Sequence, residues 1–236
     1  MNIEIVYQDK NILALNKPSG LMVHSDGRSK EKTLTDWLLE NYPELKDVGE
    51  PIILSNGEKI IRPGIVHRLD KATSGILVVA KNQKTFEYLK KLFQSREIKK
   101  EYRAIVWGRV KDDEGVIDKP IGKSRSDFRM YSAEYGARGE MREAVTEYSV
   151  LERGEKFSFV ALYPKTGRTH QIRVHMKSVG HPVLCDSLYA KGRSCELGLK
   201  RLALHASILE FSTPEGVKLR LEAPLASDIE EALKSL

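Results

Sequence analysis

The chain has 236 residues, 41% of them hydrophobic and 31% charged, with a formal net charge of +6 and a pI near 9.1. That length holds one large domain or two modest ones, and no apolar run approaches the roughly eighteen residues that cross a bilayer, which excludes a helical membrane protein. Two cysteines, Cys185 and Cys195, are too few for a disulfide framework and predict reduced thiols in a cytoplasmic setting.

From the N-terminus, residues 3–7 and 12–15 are apolar runs joined by a polar turn, which predicts a hairpin with no signal peptide before it. Lys17-Pro18-Ser19-Gly20 makes a turn, and residues 21–24 resume an extended run. From Thr33 the spacing of Leu34, Trp37, Leu38 and Leu39 is helical, and Tyr42-Pro43 closes it. Residues 47–64, rich in glycine and proline, read as a loop leading into a buried strand over 75–80. A helix follows over 83–95, with Phe86, Leu89, Leu92 and Phe93 inward and Lys84, Lys90 and Lys91 outward.

Residues 102–107 predict a strand, and the polar, basic stretch 112–142 predicts hairpins or an exposed arm. Strands over 145–151 and 157–163 flank the Arg153-Gly154-Glu155 turn. Residues 169–179 fit either period, and the Gly180-His181-Pro182 stop favours a helix. Strands over 202–211 and 217–222 come next, then a helix starting at a Ser227/Glu230 capping box. Strands outnumber helices and no linker is visible, so the expectation is an α+β fold with mainly antiparallel pairing, as one domain over 1–236.

The charge is clustered. Lys84, Lys90, Lys91, Arg96, Lys99, Lys100 and Arg103 crowd one stretch, and Lys119, Lys123, Arg125, Arg129, Arg138 and Arg142 another. Either is a solvated face or a polyanion-binding face. The run His67-Arg68-Leu69-Asp70-Lys71-Ala72-Thr73-Ser74-Gly75 is more specific. A carboxylate between an arginine and a Thr-Ser-Gly turn, directly before a buried strand, suits a nucleophile that must stay ionised and aimed better than it suits packing.

This run resembles the second motif of the RluA family of RNA pseudouridine synthases, and further segments extend the resemblance in order. They are Asn16–His24 (NKPSGLMVH), Lys100–Gly108 (KEYRAIVWG), Ala144–Tyr148 (AVTEY) and Gly167–His175 (GRTHQIRVH), continued by Gly180-His181-Pro182. The resemblance implies the pseudouridine synthase catalytic fold, a bent, mixed but mainly antiparallel sheet flanked by helices with the active cleft across its middle. It implies Asp70 as nucleophile toward a flipped-out uridine, Arg173 as the cation paired with it and Tyr102 as the stacking group. Arg68, Lys100, Arg168 and Arg129 are the implied RNA contacts, with His67 positioning its loop.

The reaction breaks a C–N glycosidic bond, turns the base and forms a C–C bond without net redox change. It requires a carboxylate and a pocket, and neither metal nor cofactor is expected. His170 and His175 are five apart, wrong for one helical face, and neither a phosphate loop nor a dinucleotide fingerprint occurs. The expected partner is RNA, large-subunit ribosomal RNA or transfer RNA, bound by a monomer without the S4 domain that many family members carry. Two other readings are a catalytically silent RNA-binding or RNA-folding protein on the same scaffold, and a glycoside hydrolase. The hydrolase would need a second acid near Asp70, and none stands out.

Overall fold

The computed structural model describes residues 1–25, 27, 30–53, 57, 59–134 and 137–236. In chain order they form β1 (Glu4–Gln8), β2 (Ile12–Lys17), α1 (Leu34–Asn41), a 3-10 turn (Pro43–Asp47), β3 (Ile52–Ile53), β4 (Lys59–Ile60), β5 (Ser74–Ala80) and α2 (Gln83–Gln94). Next come β6 (Lys99–Trp107), β7 (Glu114–Asp118), β8 (Ile121–Lys123), β9 (Tyr131–Ser132), β10 (Arg138–Arg142), β11 (Val145–Arg153) and β12 (Phe157–Pro164). Last are α3 (Gln171–Ser178), β13 (Leu204–Ser212), β14 (Lys218–Glu222) and α4 (Ser227–Leu233). The fold is α+β, as the count of strands and helices predicts.

Two compact units are present, the first of residues 1–98 and 208–224, the second of residues 99–207 and 225–236. In the first, β2 pairs antiparallel with both β1 and β5. All seven residues of β5 are buried, and Leu13, Leu15, Ile76 and Leu77 are fully enclosed, because a strand covered on both faces must be apolar throughout. Helix α1 starts at a capping box between Thr33 and Asp36, and α2 at Asn82, whose side chain accepts the Thr85 N–H. α2 turns Phe86, Leu89 and Leu92 inward as its spacing predicts, and Phe93 is half-buried. The segment 47–64 contains the short β3–β4 hairpin, and its residues 54–56 and 58 lie outside the described set.

In the second unit, β7, β11, β12 and β6 form consecutive antiparallel pairs. The basic stretch separates into β7 and a small β10–β8–β9 antiparallel sheet, the hairpin alternative of the expectation, with residues 135 and 136 outside the described set. Helix α3 buries Ile172, Val174 and Met176, and Val174 packs with Ile121, Met130, Ala144 and Tyr189.

Three expectations need correction. Residues 21–24 form no strand, because the Met22 and Val23 carbonyls accept the Leu34 and Thr35 N–H groups at the start of α1. The Ser227/Glu230 capping box is absent, since Ala226 is the cap residue and Asp228 instead accepts the Ile229 N–H and pairs with Arg201. The cysteines are joined as a Cys185–Cys195 disulfide. The chain positions are only ten apart, so the bond closes a short loop and contributes about 2–3 kcal/mol in the chain-entropy account. Thiol titration of the protein denatured without reductant should find no free thiol. Two titratable thiols would contradict the pairing.

Candidate active site

Asp70 and Arg68 lie in the first unit, on the loop leading into β5. The loop is fixed at its start by Gly64, whose φ of +62° is open to glycine and where a Cβ would overlap the Ala80 carbonyl oxygen. The Gly64 N–H donates to Val48 and its carbonyl accepts the Ala80 N–H, at 2.8 and 2.9 Å. The His67 ring stacks on Phe93 at 4.5 Å, and its Nε2 accepts the Val78 N–H at 2.9 Å. That acceptor role puts the proton of the neutral ring on Nδ1. His67 thus ties the loop to both β5 and α2, the positioning role the sequence suggests.

Beyond Asp70 the chain turns at once. The Thr73 N–H donates to the Asp70 carbonyl at 3.1 Å, and Thr73 and Ser74 are buried as the chain enters β5. The NKPSG segment holds this turn from behind. Lys17 pairs with Gly75 across β2 and β5, and its ammonium, fully shielded from solvent, donates to the carbonyls of Pro18, Leu21 and Lys71 at 2.9, 2.9 and 3.3 Å. The Gly20 N–H reaches the same Lys71 carbonyl at 2.8 Å, and Ser19 Oγ donates to the Ala72 carbonyl at 2.6 Å. The two residues after Asp70 therefore have their carbonyls pinned. Asp70 is half-buried and Arg68 exposed, with Arg68 Nη1 3.5 Å from His24 Nε2.

Tyr102, Lys100, Arg129, Arg168 and Arg173 belong to the second unit. Tyr102 is half-buried on β6 opposite Leu162, and Lys100, two residues back, leans toward the Thr166 carbonyl at 3.5 Å. Gln171 braces the Gly167–His170 loop. Its Oε1 accepts from Thr166 Oγ1 and the Arg168 N–H, while its Nε2 donates to Val145 and Thr146. Arg168 Nε in turn donates to the Glu143 carbonyl at 2.9 Å. Arg129 is exposed on the turn between β8 and β9 and pairs with Asp127.

Arg173 is buried, and Asp186 grips it through Nε and Nη2 at 2.7 and 2.8 Å, with side-chain exposures of 6% and 0%. Asp186 also accepts the Leu188 and Tyr189 N–H groups. The Tyr189 ring lies 5.0 Å from the guanidinium, and its hydroxyl meets His170 Nδ1 and the Tyr131 N–H, both at 2.9 Å. Sequence reasoning missed Asp186 and Tyr189. Their signal was their place just beyond Gly180-His181-Pro182, which gives no hint that they fold back on α3. Breaking such a buried pair from one side costs about 3–5 kcal/mol.

The first unit thus offers a half-buried carboxylate on a braced turn, and the second a fixed guanidinium, an aromatic residue on a strand and exposed cations. Residues 11–178 match the family of RNA pseudouridylate synthases. The chain belongs to that family. As a member it is an isomerase that converts uridine in RNA to pseudouridine.

This pseudouridine synthase is 37% identical over 237 residues to the uncharacterized RNA pseudouridine synthase YlyB of Bacillus subtilis, covering 100% of this chain and 73% of that protein. It is 38% identical over 247 residues to ribosomal large subunit pseudouridine synthase D of Neisseria meningitidis serogroup B, covering 100% of this chain and 62% of the relative. The chain therefore spans less than two thirds of that second relative's length. The solved structure of human RNA pseudouridylate synthase domain containing 4 shares 29% identity and a TM-score of 0.76 over 98% of this chain and 91% of its own.

In this pseudouridine synthase the second histidine of the Gly167–His175 segment is structural. His175 is fully buried, its Nε2 on the Lys119 carbonyl and its Nδ1 on Thr146 Oγ1, both at 2.9 Å. Burial lowers its pKa from the ordinary 6.5, outweighing the backbone bond to Lys119. The unfolded chain then binds a proton that the folded one refuses, so stability is lost as pH falls through 6.5 and levels off below the folded pKa. Melting curves across this range should show that loss reduced in His175→Gln, relative to its own high-pH value. An equal loss in both proteins would contradict the assignment.

Proposed function

We propose that this pseudouridine synthase acts on one or more uridines of structured RNA, large-subunit ribosomal RNA or transfer RNA, with Asp70 as its nucleophile. Arg173 is the cation paired with Asp70, and Tyr102 stacks on the flipped base through its rotation. Arg68, Lys100, Arg168 and Arg129 hold the RNA. We further read the chain as one catalytic domain, monomeric and cytoplasmic, needing no cofactor. The name of the Neisseria relative supports ribosomal RNA as a target class.

The observation that carries the role of Asp70 is the clamp behind it, in which Lys17, Ser19 and Gly20 pin the carbonyls of Lys71 and Ala72. A turn over-determined in this way fixes the backbone from which the Asp70 side chain projects before substrate arrives, which favours a positioned nucleophile. The bidentate hold of Asp186 on Arg173 supports its reading as a positioned cation. The bond changes are balanced: the glycosidic C–N bond breaks, a C–C bond forms to the same sugar carbon, and the ring proton displaced by that bond is replaced by one on the freed nitrogen.

The test is pseudouridine formation in RNA, detected by chemical labelling and reverse transcription. Asp70→Asn, nearly isosteric, should fold as the parent does and give no pseudouridine above background. Undiminished pseudouridine with Asp70→Asn and Asp70→Ala would overturn the assignment. No product from the parent chain on any RNA would instead favour an RNA-binding or RNA-folding protein.

A further inference from the structure

Phe128 is 84% exposed, the most exposed large hydrophobic residue among the described residues and the one aromatic ring in that group. It does not sit on a loose loop. In the turn between β8 and β9, Ser124 N–H donates to the Met130 carbonyl and Met130 N–H to the Asp127 carbonyl, at 2.9 and 3.0 Å. Asp127 Oδ1 accepts the Arg129 N–H at 3.0 Å, and its carboxylate takes Arg129 Nε and Nη2 at 3.0 and 2.8 Å. Lys191 approaches the same carboxylate to 3.6 Å, and Met130 is buried in the cluster with Val174 and Tyr189. The turn is thus built from both sides and anchored in a core through Met130, while the Phe128 ring is left in water.

The surroundings are those of a polyanion site. Residues 119–142 carry six cations against three carboxylates, Asp127, Glu134 and Glu140, and Asp127 is neutralised by its own neighbours. Lys123, Arg125, Arg129, Arg138 and Arg142 are exposed. An exposed aromatic ring among cations suits a nucleotide chain, with phosphates against the cations and a base face against the ring. Bases inside a duplex have both faces covered by their neighbours, so an unpaired base is the one free to stack there along the chain.

We propose that Phe128 is a stacking platform for an unpaired base of the RNA substrate, outside the residues assigned to the reaction. This rests on the reading of the chain as an RNA-modifying enzyme and adds a contact that favours looped or single-stranded RNA.

Phe128→Trp makes the ring its own reporter, with the parent protein as baseline for Trp37 and Trp107. Saturating poly(U) should quench the added fluorescence, and duplex poly(A)·poly(U) should quench it far less. Phe128→Ala should bind poly(U) roughly tenfold or more weakly, as loss of one stacked base predicts. Phe128→Tyr should retain the parent affinity, and Phe128→Leu should not. Absence of quenching, or parent affinity in Phe128→Ala or Phe128→Leu, would overturn the proposal, the leucine result pointing to a plain apolar contact. Pseudouridine formation by the parent protein is measured in parallel. Product without quenching sinks the role of Phe128 alone, whereas no product sinks the RNA-modifying reading on which it rests.

Discussion

The interaction on which the rest depends is the buried ammonium of Lys17. Moving that charge out of water costs several kcal/mol, and three backbone carbonyls, each worth about 1.5–3 kcal/mol as partners of a charge, offset the cost. The arrangement is more than a satisfied burial. Two of those carbonyls belong to the turn that contains Lys17 and the third to Lys71, directly beyond Asp70. A single point charge therefore welds two segments more than fifty residues apart, and the strand pair β2–β5 supplies the register that brings them together. An arginine, planar and longer, would not converge on three carbonyls in the space a compact ammonium fills.

The second unit solves a parallel problem with different means. Arg173 is held in plane by Asp186, covered by Tyr189, and linked through the tyrosine hydroxyl to His170, which starts α3 with a left-handed φ of +56°. Non-glycine residues seldom adopt that conformation, and histidine is among those that tolerate it best. The His170 ring contact gives the strained cap a purpose, since it connects the helix start to the residues that hold the guanidinium. Charge, aromatic cover and cap form one network, in which a change at any member is expected to couple to the others.

How much of this was legible in the sequence follows from the range of each interaction. The hairpin, β5, α2 and α3 were readable because alternation, helical spacing and stop signals act over a few residues. Asp70, Tyr102 and Arg173 were named because their motifs are dense. What escaped was long-range: Asp186 and Tyr189 carry no local pattern, and their partners on α3 lie 13 and 16 positions back. The capping box failed for a local reason, since Asp228 at the same helix start competes as a backbone acceptor and is drawn into an ion pair with Arg201. The disulfide failed because a count of two cysteines says nothing of their distance.

The central claim is that the Lys17 clamp aims Asp70, and the direct measurement is the single-turnover rate of pseudouridine formation by Lys17→Met, taken with its RNA affinity. The claim predicts folded protein that binds RNA as the parent does and reacts on the order of a hundredfold more slowly, the usual effect of a catalytic group displaced by about 1 Å. A folded Lys17→Met protein that turns over at the parent rate would contradict it.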